Sequence, residues 1–339
     1  MTWVPLLLAS PSPCLRKLVL QDLLHTKGKE VTHLAQLCNQ DPLVTQLVNI
    51  QNENGSWGKA DIAGLTLSSP VLNTSQALTR LGYLGFDCNY PAVKKGAEYL
   101  FSQQRDNGSW GPPDDPEIEN EYVITPLQTA LPLRGLAYCG YSTDTRAEKA
   151  YTWLLKQKLP DGAWPTRVTK DGSYGYRAGY RAIPHSRFGC RSNTTGVLHC
   201  LALHPDYKHN PLARRALDLL LARETQDAHV LGFEVARTIG VEKARGFLTY
   251  FARFDLGLIL ELSWRIGATL EDERVYSIVK FVQSLQNKYG LWEYTNPQAS
   301  RWVTFDLLRS LSCLDETGDW VSVEPRTPFE GYPRIQKRY

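Results

Sequence analysis

Apolar residues recur at i, i+3, i+4 and i+7 in a series of short runs along this chain, the spacing that keeps one face of an α-helix buried. The runs come in pairs separated by a turn. First members predict helices over about 12–25, 70–85, 124–139, 193–204, 254–267 and 301–314, and second members over about 41–51, 91–104, 144–158, 211–223 and 272–286. Pro91 and Pro211 stand at two of the predicted starts, where a missing N–H costs nothing. Each pair reads as a helical hairpin, and the chain as an array of six.

A phrase returns after four of the second runs: Gln51, Gly55 and Trp57; Gln104, Gly108 and Trp110; Gln157, Gly162 and Trp164; Gln286, Gly290 and Trp292. Trp57, Trp110 and Trp164 fall 53 and 54 residues apart, and Trp292 lies 128 further on, two slightly longer periods. One middle repeat has lost its tryptophan but keeps its start at Arg215 to Leu220. Recurrence at a fixed period marks an array of one supersecondary unit. The glycine ends a helix or shapes the turn, and the tryptophan caps the hairpin against the glutamine, which is a structural duty. Six hairpins can close into a ring around an axial hollow, with binding groups just before residues 72, 127, 193, 254 and 302. An open superhelix with a concave groove is the alternative.

With 339 residues, 42% of them hydrophobic, the chain is long enough to bury about 75% of its unfolded surface. A net charge of +3 is too small for a nucleic-acid footprint, so no nucleic-acid partner is expected. The apolar start, Met1 to Ser10, has no basic leader and is broken by Pro5, which makes a poor signal peptide. No run of 18 or more apolar residues occurs, so no membrane span is expected, although peripheral membrane contact stays open. Seven scattered cysteines read as reduced thiols of a cytoplasmic protein.

Lys95, Gly96, Tyr99, Leu100, Gln104, Gly108 and Trp110, in their spacing, resemble the QW motif of squalene and oxidosqualene cyclases. From about residue 40 to 315 the chain resembles the prenyltransferase and squalene-cyclase repeat family. The resemblance implies an all-α (α/α)6 toroid with a central apolar cavity for isoprenoid chains. The large cyclases of that family protonate an alkene or epoxide with an Asp-rich motif at the start of an inner helix. Here the matching places carry Asn73, Gln128, Asn193 and the pair Phe254-Asp255, without an Asp-x-Asp-Asp pattern, and the chain is about half the length of those two-domain enzymes. Prenyltransferase β subunits instead hold zinc with an Asp-x-Cys pair and a later His. Cys190 falls on the cysteine ligand, but Phe188 replaces the aspartate and Asp255 falls near the histidine. Two of three ligands have changed type, so no metal and no cofactor is expected.

Asp255 is the one carboxylate placed at an inner-helix start without a neighbouring acid. A partly desolvated carboxyl there can act as a general acid; an aspartate at that position also serves simply as a helix cap. The connection after Trp164 gathers Arg177, Arg181, Arg187 and Arg191 with Tyr180, His185 and Phe188. Arginines bind anionic head groups bidentately and aromatic faces line isoprenoid channels or shield cations, so the connection reads as a lid. Its competing reading is a solvated loop whose arginines pair with the acidic connection from Asp114 to Glu121. Asp114-Asp115, flanked by prolines, reads as a surface turn.

The expectation is one domain over 1–339, with a toroid over 10–315 and a tail over 316–339. Its function is then that of a terpenoid-cyclase-like protein whose isoprenoid ligand, with or without an anionic head, folds in the central cavity. Asp255 would protonate it, and Tyr122, Phe254 and Trp302 would shield the cation. Arg177, Tyr180, Arg181, His185, Arg187, Cys190, Arg191, Asn193 and His199 complete the expected binding set. A non-catalytic toroid that binds lipid or protein is the second reading, and a degenerate zinc prenyltransferase the third.

Overall fold

A polar or aromatic side chain followed by proline opens half of the described helices. The structure, a computed structural model, describes residues 2–58, 69–111, 125–168, 174–175, 180–222, 229–243 and 250–318. Its helices are α1 (Trp3–Leu8), α2 (Pro13–Leu18, continued by a π turn over Val19–Leu23), α3 (Lys29–Leu37), α4 (Pro42–Val48), α5 (Pro70–Tyr83), α6 (Pro91–Ser102) and α7 (Pro126–Tyr138). They continue with α8 (Thr145–Lys156), α9 (Arg191–Ala202), α10 (Pro211–Leu221), α11 (Phe233–Thr238), α12 (Leu256–Ile266), α13 (Glu273–Ser284) and α14 (Pro297–Cys313). Ser12, Asp41, Asn210 and Asn296 cap α2, α4, α10 and α14 by accepting a hydrogen bond from a main-chain N–H of the first turn, with proline next in line. The side chain takes up one orphan donor and the proline removes another.

The architecture is the all-α (α/α)6 toroid that the family resemblance implies, a closed ring and not the open superhelix that the periodicity also allowed. Helices α5, α7, α9, α12 and α14 pack in succession as the inner ring, the first four each backed by an outer helix: α6 on α5, α8 on α7, α10 on α9 and α13 on α12. The first hairpin closes the circle from both sides. Arg309 of α14 pairs with Asp22 of the π turn, while Lys17 and Leu18 of α2 lie against Gly85 at the end of α5. Inner helices are buried nearly all round, as in α7 from Pro126 to Ala137, whereas the outer ones bury a single face. One close approach needs glycine: a Cβ on Gly96 would stand 2.8 Å from the Trp57 ring.

The recurring phrase is a hydrogen-bonded clasp. Each tryptophan Nε1–H donates to a carbonyl ten residues back, at the end of its own outer helix: Trp57 to Leu47, Trp110 to Leu100, Trp164 to Leu154 and Trp292 to Val282, at 2.7–2.8 Å. The main-chain N–H of the same tryptophan donates to a threonine hydroxyl on the next inner helix: Thr74, Thr129, Thr194 or Thr304. Gln51 and Gln104 donate both to the turn carbonyl and to the start of the next outer helix, at Ala92 and Arg146. These first two clasps therefore each join three helices. In the repeat without a tryptophan, Ile259 occupies the fourth position of α12, where Thr129 and Thr194 stand in α7 and α9. The last clasp is met by the chain's own start, because Thr2 donates to the Tyr289 carbonyl and Trp3 lies against Gly290.

Short strands fill the connections. β1 (Arg167–Val168) pairs antiparallel with β2 (Tyr174–Gly175), β3 (Ala182–Ile183) with β4 (Ser186–Cys190), and β5 (His229–Val230) runs parallel to β6 (Phe254–Asp255). Among the described residues no helix is long and apolar enough to cross a membrane. The acidic connection from Asp114 to Glu121, and residues 319–339 of the tail, lie outside the described residues.

Candidate functional site

Among the described residues, part of the ring's interior, where the sequence led us to expect an open apolar hollow, is occupied by a short helix and its charged partners. The repeat that lost its tryptophan uses its long connection to place α11 against α5, α12 and α14, so this short helix stands inside the ring. Asp255 holds it there. Its Oδ1 accepts from Gly232 N at 2.9 Å and from Gly257 N at 3.0 Å, and its Oδ2 accepts from Glu234 N at 2.6 Å. One carboxyl thus caps both α12 and α11. Burial pushes the Asp255 carboxyl up to about 6, with the main-chain donors from Gly232 and Gly257 pulling the other way.

Below that cap lies a buried polar layer. Glu234 of α11 pairs with Arg134 of α7 and with Arg237 of its own helix. Arg134 also donates to the Tyr250 hydroxyl at 2.9 Å, that hydroxyl donates to Gln76, Arg237 lies over the Tyr250 ring, and Arg80 donates to the Thr238 carbonyl at 2.8 Å. Burial would raise the Tyr250 hydroxyl, but the guanidiniums of Arg134 and Arg237 outweigh it and leave it below the ordinary tyrosine value. Charges taken from water need partners of this quality.

A second layer forms where the inner helices run on. His199 Nε2 lies 2.9 Å from the Tyr138 hydroxyl, which donates to Glu261 at 3.2 Å, and Arg265 donates to Glu261 at 3.0 Å. Since Tyr138 spends its proton on Glu261, His199 must donate from Nε2, leaving Nδ1 as a buried acceptor without a partner. Burial lowers His199 to about 3, so the ring is neutral. Burial alone would raise Glu261, but Arg265 and its cationic neighbours hold it down to about 2. On α14, Asp306 accepts from Arg309 at 2.7 Å and from Tyr83 at 3.5 Å, and burial, aided by Glu261, pushes its carboxyl up to about 7 against the pull of Arg309.

The residues singled out from sequence scatter over this frame. Phe254 is buried in β6, and Trp302 is buried with its ring 5.8 Å from that of Tyr83. His199, unpartnered in the sequence reading, joins the lower layer. Asn193 accepts from Leu127 N at 2.9 Å and so caps α7, while Gln128 forms a capping box with Thr125; the amides standing where catalytic aspartates were sought have helix-end duties. Cys190 is buried at the start of α9, and Arg191 donates to the Ala252 carbonyl. Tyr180 is half-buried, whereas Arg181, His185 and Arg187 are exposed around the β3–β4 hairpin, Arg181 reaching back to the Tyr180 carbonyl and Arg187 lying over the Phe188 ring. Tyr122 and Arg177 lie outside the described residues. Among the described residues no three His, Cys, Asp or Glu side chains converge to hold a metal ion.

Sequence reasoning passed over Arg80, Arg134, Glu261, Asp306 and Arg309, each a charged residue inside an otherwise apolar inner run. That interruption was the available signal. A separate cavity of about 540 Å3 opens between the first and last hairpins, lined by Ser10, Pro11, Ser12, Asp41, Pro42, Leu43, Ile239, Val241, Pro297, Gln298, Arg301 and Trp302.

Residues 39–176 match the family model described as the squalene-hopene cyclase C-terminal domain. A squalene–hopene cyclase of Bradyrhizobium diazoefficiens is 31% identical over 121 residues, which are 32% of this chain and 17% of that protein. One from Zymomonas mobilis is 25% identical over 137 residues, 39% of this chain and 20% of the relative. The matched segments thus span about a fifth of the length of these relatives. Among solved structures, a protein from Actinoplanes superposes over 89% of both chains with 16% identity and a TM-score of 0.45. The type II terpene cyclase MstE from Scytonema superposes over 79% of this chain and 94% of its own, with 14% identity and a TM-score of 0.32.

Proposed function

We propose, on the premise that this chain is a squalene-cyclase-like repeat protein, that it is a terpenoid-cyclase-like toroid that binds an isoprenoid-type ligand without turning it over. The observation that carries this reading is the occupation of the ring's interior. Where a polyene would fold, α11 and the Arg134–Glu234–Arg237 layer are packed. The carboxyl nearest the expected initiating position, Asp255, spends its oxygens on three main-chain N–H groups. Charges so placed suit a rigid, closed ring better than a cavity that must cradle a migrating cation. Apolar ligand binding then falls to the cavity beside Trp302.

The test is equilibrium binding of neutral isoprenoids of C15 to C30 to the full chain, together with solvent extraction of the purified protein and mass spectrometry. Saturable binding with unchanged ligand recovered afterwards is the expected result. Absence of binding across the series would end the reading.

Proton-initiated cyclisation is the second reading. Asp306 favours it, since a buried carboxyl raised to about 7 beside the Tyr83 and Trp302 rings is protonated often enough near neutral pH to serve as an acid. Asp255 is retained in it as the alternative acid. A cyclised product lost in Asp306→Asn or in Asp255→Asn, with binding intact, would favour this reading over the first.

A further inference from the structure

We propose that the cavity between the first and last hairpins takes an amphiphile with one isoprenoid chain and a single carboxylate head, the head held by Arg301. The inference deepens the isoprenoid-binding reading above and rests on it. The walls come from Pro11, Leu43, Ile239, Val241, Pro297 and Trp302, so the interior offers apolar surface to a chain. A volume of about 540 Å3 sits inside the range of roughly 300–1,000 Å3 that small-molecule sites occupy.

Arg301 sets the head group. It is half-buried on α14 at the cavity wall, and among the described residues it makes no hydrogen bond or ion pair. Its neighbours on the same and the adjoining hairpin are treated differently: Arg309 holds Asp306 and Asp22, and Arg274 holds Asp272 and Asp218. A guanidinium with five N–H donors set over an apolar cavity asks for an acceptor of matching planar geometry, which a carboxylate supplies.

The cavity's own carboxylate does not serve. Asp41 is fully buried, with one oxygen accepting from Leu43 N and the other from Ser12 Oγ and Cys14 N. Its negative charge faces the same space and opposes a polyanion. One free cation beside one fixed anion fits a monoanionic head and disfavours a diphosphate.

Equilibrium binding of farnesoic acid, farnesol and farnesyl diphosphate to the full chain tests the proposal. The acid is expected to bind at least tenfold more tightly than the alcohol. Arg301→Gln should bring the acid down to the level of the alcohol and leave the alcohol unchanged. Val241→Trp and Leu43→Trp, which fill the cavity from two sides, should weaken acid and alcohol alike while the melting temperature holds. Undiminished acid binding by Arg301→Gln, a preference for the diphosphate, or undiminished binding by both tryptophan variants would overturn this site while leaving the isoprenoid-binding reading in place. Failure of the unaltered chain to bind any of the three probes would overturn this site, and failure across the C15 to C30 series would overturn the isoprenoid-binding reading as well.

Discussion

Replacing Asp255 by asparagine isolates the charge at the cap of α11 and α12 without changing its shape. Burial pushes the folded carboxyl from an ordinary 3.8 up to about 6, which corresponds to about 3 kcal/mol. The folded state keeps its proton to higher pH than the unfolded chain, so between pH 4 and 6 it binds more protons than the unfolded state. Stability from this group is therefore fully present below about pH 4 and lost as pH rises through 6. Asparagine carries no such slope. In urea unfolding at steps from pH 3.5 to 7.5, Asp255→Asn should gain on the unaltered protein by about 3 kcal/mol as pH rises. The comparison cancels the contribution of His199, which both proteins share. A stability difference that stays constant over that range would refute the desolvated carboxyl and, with it, the description of Asp255 as the buried clamp on α11.

Three further outcomes follow from the packing. Trp110→Phe deprives the buried Leu100 carbonyl of its donor and should cost roughly 2–4 kcal/mol in chemical denaturation. Thr129→Val, which removes the acceptor for Trp110 N and the donor to the Trp110 carbonyl, should cost roughly 1–3 kcal/mol, whereas Ile259→Val, at the position without a tryptophan, should cost only about 1 kcal/mol as a methylene deletion. Arg274→Leu removes the buried cation that Asp272 and Asp218 share and should cost about 3–5 kcal/mol, recovered in part when both aspartates are also replaced. His199, lowered from 6.5 to about 3 by burial, binds fewer protons folded than unfolded between those values. It therefore adds an acid limb on which stability falls as pH drops from 6.5 toward 3, and His199→Phe should flatten that limb in thermal melts.

Much of this fold is legible in one sequence because the information is local and repeated. The predicted runs over 70–85 and 91–104 become α5 (Pro70–Tyr83) and α6 (Pro91–Ser102), since a 3.6-residue apolar period needs only its own neighbours to be seen. The clasp shows the limit of that reading. Its glutamine, glycine and tryptophan stand within seven residues of one another and are seen at once, but its threonine lies 12 to 30 residues on and has meaning only once the next inner helix swings back. The candidate site was less legible. Nothing in the run Glu234 to Thr238 says that it will stand inside the ring, and Asp255 looks the same in sequence whether it initiates chemistry or caps two helices.

What the sequence alone determined is the number, length and order of the hairpins, because turn residues, caps and periodic apolar faces act over short distances. Only the tertiary structure decided what fills the centre and what closes the ring. Arg134 and Glu234 are 100 residues apart, as Thr2 and Tyr289 are 287, and such pairings are selected by desolvation and packing among whole helices. Those forces come into play only once the toroid has formed, and they leave no period in the chain to read.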